Sequence, residues 1–140
     1  MLDRLALVLI VVTAVTLAVI IVRVWNRRRV ASLMHTNAAH SWDRLGETAD
    51  GRRTLVSFST PSCAACHTAQ APAITAAEVE LGPSTVRVIR VDAARQPEVA
   101  RAFGVLTVPS TIVLASTGQV VAVNQGFAPS GRLVEQLQRA

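Results

Sequence analysis

The chain of 140 residues has few of the residues that mark several protein classes. Its only cysteines are Cys63 and Cys66, which excludes a secreted fold held together by a network of disulfides. It has no tyrosine, three phenylalanines and two tryptophans, and every one of its 14 Lys/Arg positions is an arginine. Basic and aromatic side chains are not interleaved along it, which speaks against a nucleic-acid partner.

The net charge of +5 is concentrated at one end of the chain. Residues 1–30 contain five Arg and one Asp, a net charge of +4, whereas residues 31–140 contain nine Arg and eight acidic residues, a net charge of +1. Most of this excess comes from Arg23 and Arg27–Arg29, which directly follow the apolar segment described next. At that position arginines can attract anionic lipid head groups. We expect no nucleic-acid partner.

The apolar segment runs from Leu5 to Val22 and reads LALVLIVVTAVTLAVIIV, with no charged residue. As a helix it would be about 27 Å long at about 1.5 Å per residue, close to the thickness of the hydrocarbon core of a bilayer. Trp25 follows at the position of an interfacial aromatic anchor. A cleaved signal peptide would need a positive N-terminal region and a small-residue cleavage site. The sequence has neither, since Asp3 offsets the charge of Arg4 and no such site precedes a polar start. We therefore predict a single transmembrane helix within residues 1–25.

Arg23 and the run Arg27–Arg29 follow this segment. By the positive-inside rule, a single-pass protein of the cell membrane would then carry the rest of its chain in the cytoplasm. The opposite orientation, with an extracytoplasmic domain, is the alternative. We interpret residues 26–50 as a basic juxtamembrane segment and linker, and the turn signal Asp50-Gly51 as the start of a compact domain over residues 51–140.

Within this domain, strand-like and helix-like patterns alternate. Pro72 falls inside the first helix and should kink it. The resulting order β-α-β-α-β-β-α predicts an α/β fold with a mixed sheet flanked by helices. The expected elements are a strand over 54–59, a helix over 63–81, a strand over 85–91, a helix over 96–103, strands over 110–115 and 120–123, and a helix over 130–139. A linker or a short helix is expected around residues 38–48, before the domain.

The stretch Cys63-Ala64-Ala65-Cys66-His67 matches the motif for covalent haem attachment as well as the dithiol motif of redox proteins. A haem iron usually takes a second protein ligand, and a zinc site would need a further histidine. The other candidate ligands all precede the motif: Met1, Met34, His35 and His40. Strand-like runs also flank the motif, whereas cytochrome domains are mostly helical. We expect no haem, no metal and no other cofactor.

The dithiol interpretation agrees with the predicted elements. A strand that ends at Ser59 would deliver Cys63 to the first turn of a helix, where free N–H groups and the helix dipole stabilise a thiolate. Cys66 would lie one turn deeper on the same helix face. It could therefore attack a mixed disulfide formed at Cys63 and release the reduced substrate.

Residues 52–140 resemble the thioredoxin family in three segments, LVSFSTPSCAAC, VRVIRVDAARQPEVARAFGVLTVPSTIVL and STGQVV, and in Gly126. The resemblance implies a thioredoxin fold and a thiol-disulfide oxidoreductase in which Cys63 and Cys66 are catalytic. It implies protein disulfides or dithiols as substrates, and an upstream reductant that it does not name. It also implies that Pro109 is a cis-proline beside the active site, and that Val108 offers its backbone to an extended substrate.

The sequence departs from the family pattern at several positions around the motif. The departures are Ser62 for a tryptophan, Ala64-Ala65 for Gly-Pro, Ser57 for a buried aspartate, Val88 for its lysine partner, and Pro72 one residue later than expected. Loss of the aspartate removes the expected base and leaves His67 as the only titratable group beside the cysteines, a possible modulator of their reactivity. The residues between the cysteines tune the redox potential, so reduction and oxidation of substrates both stay open.

Two functions follow. The first is a membrane-anchored thiol-disulfide oxidoreductase. The second is a thioredoxin-like redox-sensing or binding module of a membrane complex, with little turnover of its own. The intact cysteine pair favours the first, and the missing aspartate favours the second.

Overall fold

The computed structural model describes residues 10–25 and 38–140. The chain forms two compact units, Met1–Ser32 and Leu33–Ala140. In the first unit, residues 10–25 form helix α1, whose side chains are all exposed. In the described ranges, no helix combines the length and the apolar character that crossing a membrane requires. Part of the predicted span, residues 5–9, lies outside the described residues.

The second unit contains the alternating helices and strands that the sequence predicts. In chain order they are α2 (Ala38–Leu45), β1 (Arg53–Ser59), a π-helical turn (Cys66–Gln70), α3 (Ala71–Leu81), β2 (Val86–Asp92), α4 (Pro97–Ala102), β3 (Ser110–Leu114), β4 (Val120–Gln125) and α5 (Ser130–Gln138). The predicted α/β class and the order β-α-β-α-β-β-α are confirmed, and the predicted element ends lie within three residues of the observed ones.

These strands form one mixed sheet in the order β2-β1-β3-β4. The pair β1 and β2 is parallel and is connected through α3, whereas β1 with β3 and β3 with β4 are antiparallel. The two inner strands, β1 and β3, are buried almost throughout, whereas the edge strands β2 and β4 are only partly buried. An apolar run such as that in β1 is therefore covered on both faces of the sheet.

A hydrophobic cluster lies on each face. Phe58 of β1 packs with Phe103 on one face, with ring centroids 6.0 Å apart. Leu55 of β1 packs with Ile74 of α3 and Leu133 of α5 on the other face. Successive residues of β1 thus point to opposite sides, so this strand anchors both halves of the core.

Helix α2 belongs to the first of these clusters through Trp42, which is only 6% exposed. Arg44 of α2 donates a hydrogen bond from Nη1 to the carbonyl oxygen of Ala102 in α4, at 3.1 Å. Of the two alternatives that the sequence leaves open here, a linker or a short helix, the structure has the helix, and it packs against the sheet.

The strand register brings four strand ends, and the loops attached to them, to one end of the sheet, referred to below as one edge. Ser59 at the end of β1 pairs with Asp92 at the end of β2, and Ser110 at the start of β3 pairs with Gln125 at the end of β4. Phe58 pairs with Ser110, which joins the two halves of this edge. The loop after β1 therefore begins next to the point where the loop before β3 ends. These two loops carry the predicted site residues.

Candidate active site

The two cysteines form a disulfide, with Cα atoms 5.3 Å apart. Cys63 is partly exposed, whereas Cys66 is only 4% exposed. The first helical residue is Ala64, one position after the predicted start, so Cys63 immediately precedes the helix. Cys63 is therefore the more accessible of the two residues.

Backbone hydrogen bonds fix the start of this helix. The N–H of Cys63 donates to the carbonyl oxygen of Thr60, at 3.1 Å. The N–H of Cys66 donates to the carbonyl oxygen of Cys63 at 3.1 Å and lies 3.2 Å from its Sγ. After reduction the same N–H can stabilise a thiolate on Cys63, because a donor at a helix N-terminus favours the charged sulfur.

A π-helical turn over Cys66–Gln70 replaces the continuous kinked α-helix that the sequence predicts. The N–H of Ala71 donates to the carbonyl oxygen of Cys66, five residues earlier, so this turn holds one residue more than an α-helical turn. Pro72 follows at the start of α3 and has no N–H to donate to Thr68. The extra residue in this turn accounts for the late position of Pro72.

Gln70 is a residue of this turn that the sequence analysis did not identify. Its side chain is 1% exposed. Nε2 donates to the carbonyl oxygen of Ala128 at 3.0 Å, and Oε1 accepts from the N–H of Ala128 at 2.9 Å. The active-site helix is thereby hydrogen-bonded to the loop that follows β4.

The Val108-Pro109 peptide bond is cis, as the resemblance implies. Pro109 is buried, and its carbonyl oxygen accepts a hydrogen bond from the N–H of Gly126 at 2.9 Å. Gly126 has a φ of 89°, a conformation that favours glycine. Val108 is half-buried and borders a cavity of about 290 Å³ between α4 and residues 105–108.

Ser57 is buried in β1, 8% exposed, where the family pattern has an aspartate. Its register partner in β3 is Thr111. Across the described residues, the buried polar side chains carry hydroxyls and amides and include no carboxylate: Ser41, Thr54, Ser57, Gln70, Ser110, Thr111 and Asn124. In this part of the chain, no buried carboxylate is present to act as a base for Cys66.

His67 follows Cys66 and is exposed. Its Nε2 lies 3.3 Å from the carbonyl oxygen of Pro61, which ties the imidazole to the loop before Cys63. Of the histidines considered for zinc, His35 lies outside the described residues. In the described part of the chain, no group of three or more His, Cys, Asp or Glu side chains could hold a metal ion.

A disulfide at the N-terminus of a helix, at the same edge of the sheet as a cis-proline, defines a thiol-disulfide exchange site on an α/β fold. A profile of the thioredoxin family matches residues 34–139 of this chain. The chain belongs to the thioredoxin family, and it is a thiol-disulfide oxidoreductase.

Individual relatives agree with this assignment. The chain is 30% identical to the thioredoxin of Bacillus subtilis over 93 residues, which cover 66% of this chain and 86% of the relative. Thioredoxin of Fasciola hepatica is 27% identical, with a TM-score of 0.54 over 64% of this chain and 81% of its own. Mitochondrial thioredoxin 3 of Saccharomyces cerevisiae has the same fold at 18% identity, with a TM-score of 0.58 over 75% of this chain and 92% of its own.

Proposed function

We propose that this protein is a membrane-anchored oxidoreductase that exchanges disulfides with protein substrates, with Cys63 as the attacking cysteine and Cys66 as the resolving one. The observation that carries the proposal is the disulfide at the helix start, in which Cys63 is the more exposed residue. The thiolate of Cys63 attacks one sulfur of a substrate disulfide, forms a mixed disulfide and displaces a substrate thiolate, which takes up a proton. The sulfur of Cys66 then attacks that of Cys63 and displaces the second substrate thiolate. Two electrons pass to the substrate, and the chain returns to the disulfide form.

The proton of Cys66 has to leave by a route other than a buried carboxylate, since the described residues contain none. Water at the edge of the site can accept it, and the exposed imidazole of His67 can exchange it. We therefore assign His67 the role of a modulator of the exchange and not that of an essential base.

Exposed apolar side chains beside the site support a polypeptide substrate. In the part of the second unit that the structure describes, the exposed large hydrophobic residues are Val79, Leu106 and Phe127. Leu106 lies two residues before Val108, and Phe127 follows Gly126, which is hydrogen-bonded to Pro109. A substrate segment whose backbone pairs with Val108 beside Pro109 would meet both apolar side chains.

The membrane anchor is part of the proposal and is supported by the uncharged run from Leu5 to Val22 and by Arg23 and Arg27–Arg29 after it. The charges favour a cytoplasmic domain. A membrane-impermeant maleimide applied to intact and lysed cells after mild reduction tests this orientation. Labelling of Cys63 only after lysis supports a cytoplasmic reductase, whereas labelling in intact cells means an extracytoplasmic domain.

The alternative is a redox-sensing or binding module with little turnover, which the absence of a buried carboxylate favours. Expression of the Cys66→Ser variant separates the two functions. An exchange enzyme should then accumulate adducts with protein substrates that a thiol reductant dissolves, because Cys63 is no longer displaced. The variant with both Cys63→Ser and Cys66→Ser should form none. Equal recovery with both variants, or none with Cys66→Ser, would support the binding module.

A further inference from the structure

Gln125, the last residue of β4, makes hydrogen bonds to two residues of the loop that carries Val108 and Pro109, and to Ser110, the first residue of β3. Its Nε2 donates to the carbonyl oxygen of Gly104 at 2.9 Å. Its Oε1 accepts from the N–H of Leu106 at 3.2 Å and from the hydroxyl of Ser110 at 3.1 Å. One half-buried side chain thus binds the loop near its beginning and at its end.

The orientation of this amide follows from two different backbone groups. The carbonyl of Gly104 can only accept, and the N–H of Leu106 can only donate, so Nε2 and Oε1 each have one possible place. The Ser110 hydroxyl shares its proton with the carbonyl oxygen of Thr107, at 2.7 Å. Residues 105–109 lie outside regular helix and strand, and within them the N–H of Leu106 donates to the Gln125 side chain instead of to a backbone carbonyl.

We propose that Gln125 is a positioning residue that holds this loop in the conformation that a protein substrate binds. The inference rests on the proposed pairing of substrate with Val108. Because Gln125 already occupies the N–H of Leu106, a substrate cannot pair there. The backbone of Val108, two residues later, is then the part of the loop left for pairing. Without Gln125, a substrate would have to order the loop as it binds, which weakens its binding.

The experiment compares a protein disulfide substrate with a small disulfide, DTNB, on the full chain in detergent. The Gln125→Met variant keeps the length of the side chain and removes all three hydrogen bonds, whereas Gln125→Glu keeps the two that Oε1 accepts. For Gln125→Met we expect KM for the protein substrate to rise about tenfold, with kcat and the DTNB rate within about twofold of wild type. Gln125→Glu should have an intermediate KM.

Gln136→Met is the matched control. Gln136 exchanges two hydrogen bonds with Asn124, the neighbour of Gln125 on β4, at 2.8 and 3.0 Å. The Gln136→Met variant therefore removes similar hydrogen bonds beside the end of β4 without affecting the loop. It should leave the KM for the protein substrate and the DTNB rate unchanged.

The inference is overturned if Gln125→Met keeps the wild-type KM, if it slows DTNB and the protein substrate equally, or if Gln136→Met shows the same selective rise. If Gln125→Met does not fold, Gln125→Glu decides, since a KM equal to that of wild type would contradict the inference. Failure of the wild-type chain to reduce the protein substrate would overturn the proposed function as well, and it is seen before any variant is made.

Discussion

His67 differs from the cysteines beside it because its side chain is exposed and its imidazole is already bonded to the carbonyl oxygen of Pro61. An essential general acid or base contributes about 10²–10⁴-fold to a rate. A group that only exchanges protons alongside water should contribute far less. We therefore propose that His67 modulates the exchange and is not essential to it.

We expect the His67→Gln variant to lower the rate of protein-disulfide reduction at pH 7 by less than about tenfold, well below the contribution of an essential base. Thr68→Ala is the control, since Thr68 is an exposed neighbour whose hydroxyl donates to the carbonyl oxygen of Ala64 at 3.0 Å. Stopped-flow kinetics under single-turnover conditions would measure the rate. A loss of about a hundredfold or more would make His67 the base of the reaction.

At the residue scale, sequence predicts the groups that have a short motif and not those that act through backbone partners. The motif predicts Cys63 and Cys66, whereas only the resemblance to the thioredoxin family predicts Val108 and Pro109, since a proline before a strand marks no site by itself. Gln70 and Gln125 were missed, since their partners are backbone groups brought near only by the folded loops. No local pattern marks a glutamine for such a role.

At the scale of the elements, the π-helical turn shows what an extra residue does to the active-site helix. The sequence predicts a kink because Pro72 cannot donate a hydrogen bond, and that physical reason is correct. In the structure the helix has one wider turn before the proline, in which the N–H of Ala71 donates a hydrogen bond to the carbonyl oxygen of Cys66, five residues earlier. This turn contains Gln70, whose amide binds Ala128. The position of Pro72, one residue later than in the family pattern, is the signal in the sequence for this wider turn. It can be recognised only by comparison with that pattern.

The Gln70→Leu variant should lower the free energy of unfolding by about 2–5 kcal/mol, because it leaves the N–H and C=O of Ala128 without partners in the interior. Urea unfolding of wild type and variant, both in the disulfide form, measures the difference. A difference below about 0.5 kcal/mol, the size expected at an exposed position, would mean that the hydrogen bonds to Ala128 are not needed to hold the loop.

Helix α2 offers a second test at this scale. Trp42→Ala should cost about 3–5 kcal/mol of stability, because it empties a large site in the cluster around Phe58 and Phe103. Trp42→Phe should cost clearly less, since it keeps most of the apolar volume and the buried Nε1 of Trp42 has no hydrogen-bond partner among the described residues. Denaturant midpoints measure both. Equal stability of Trp42→Ala and wild type would show that α2 is dispensable.

At the scale of the whole molecule, the alternation of strand and helix patterns was enough to predict the α/β class. It was not enough to predict which strand ends meet, because that depends on the pairing of Ser59 with Asp92 and of Ser110 with Gln125 across the sheet. The resemblance to the thioredoxin family supplied that information in advance. The register then explains why residues more than forty positions apart in the chain, such as Cys63 and Pro109, belong to one edge.

The proposed anchor makes a prediction at this scale. Val15→Arg places a charge near the middle of the apolar run, which costs about 2.5–3.5 kcal/mol in a membrane-spanning helix. We expect this variant to move from the carbonate-resistant membrane fraction to the soluble fraction. Val79→Arg makes the same change at a position of α3 that is 76% exposed, and it should stay with the membranes. Soluble wild-type protein would contradict the anchor.

The most direct test of the central claim is to mix the reduced full chain with a protein disulfide and follow both partners by thiol counting and mass spectrometry. We expect each chain to lose two thiols and about 2 Da as Cys63 and Cys66 form a disulfide, while the substrate gains two thiols. Cys66→Ser should stop at a covalent adduct through Cys63. A wild-type chain that stays reduced beside an intact substrate disulfide, although DTNB oxidises it, would contradict exchange with protein substrates.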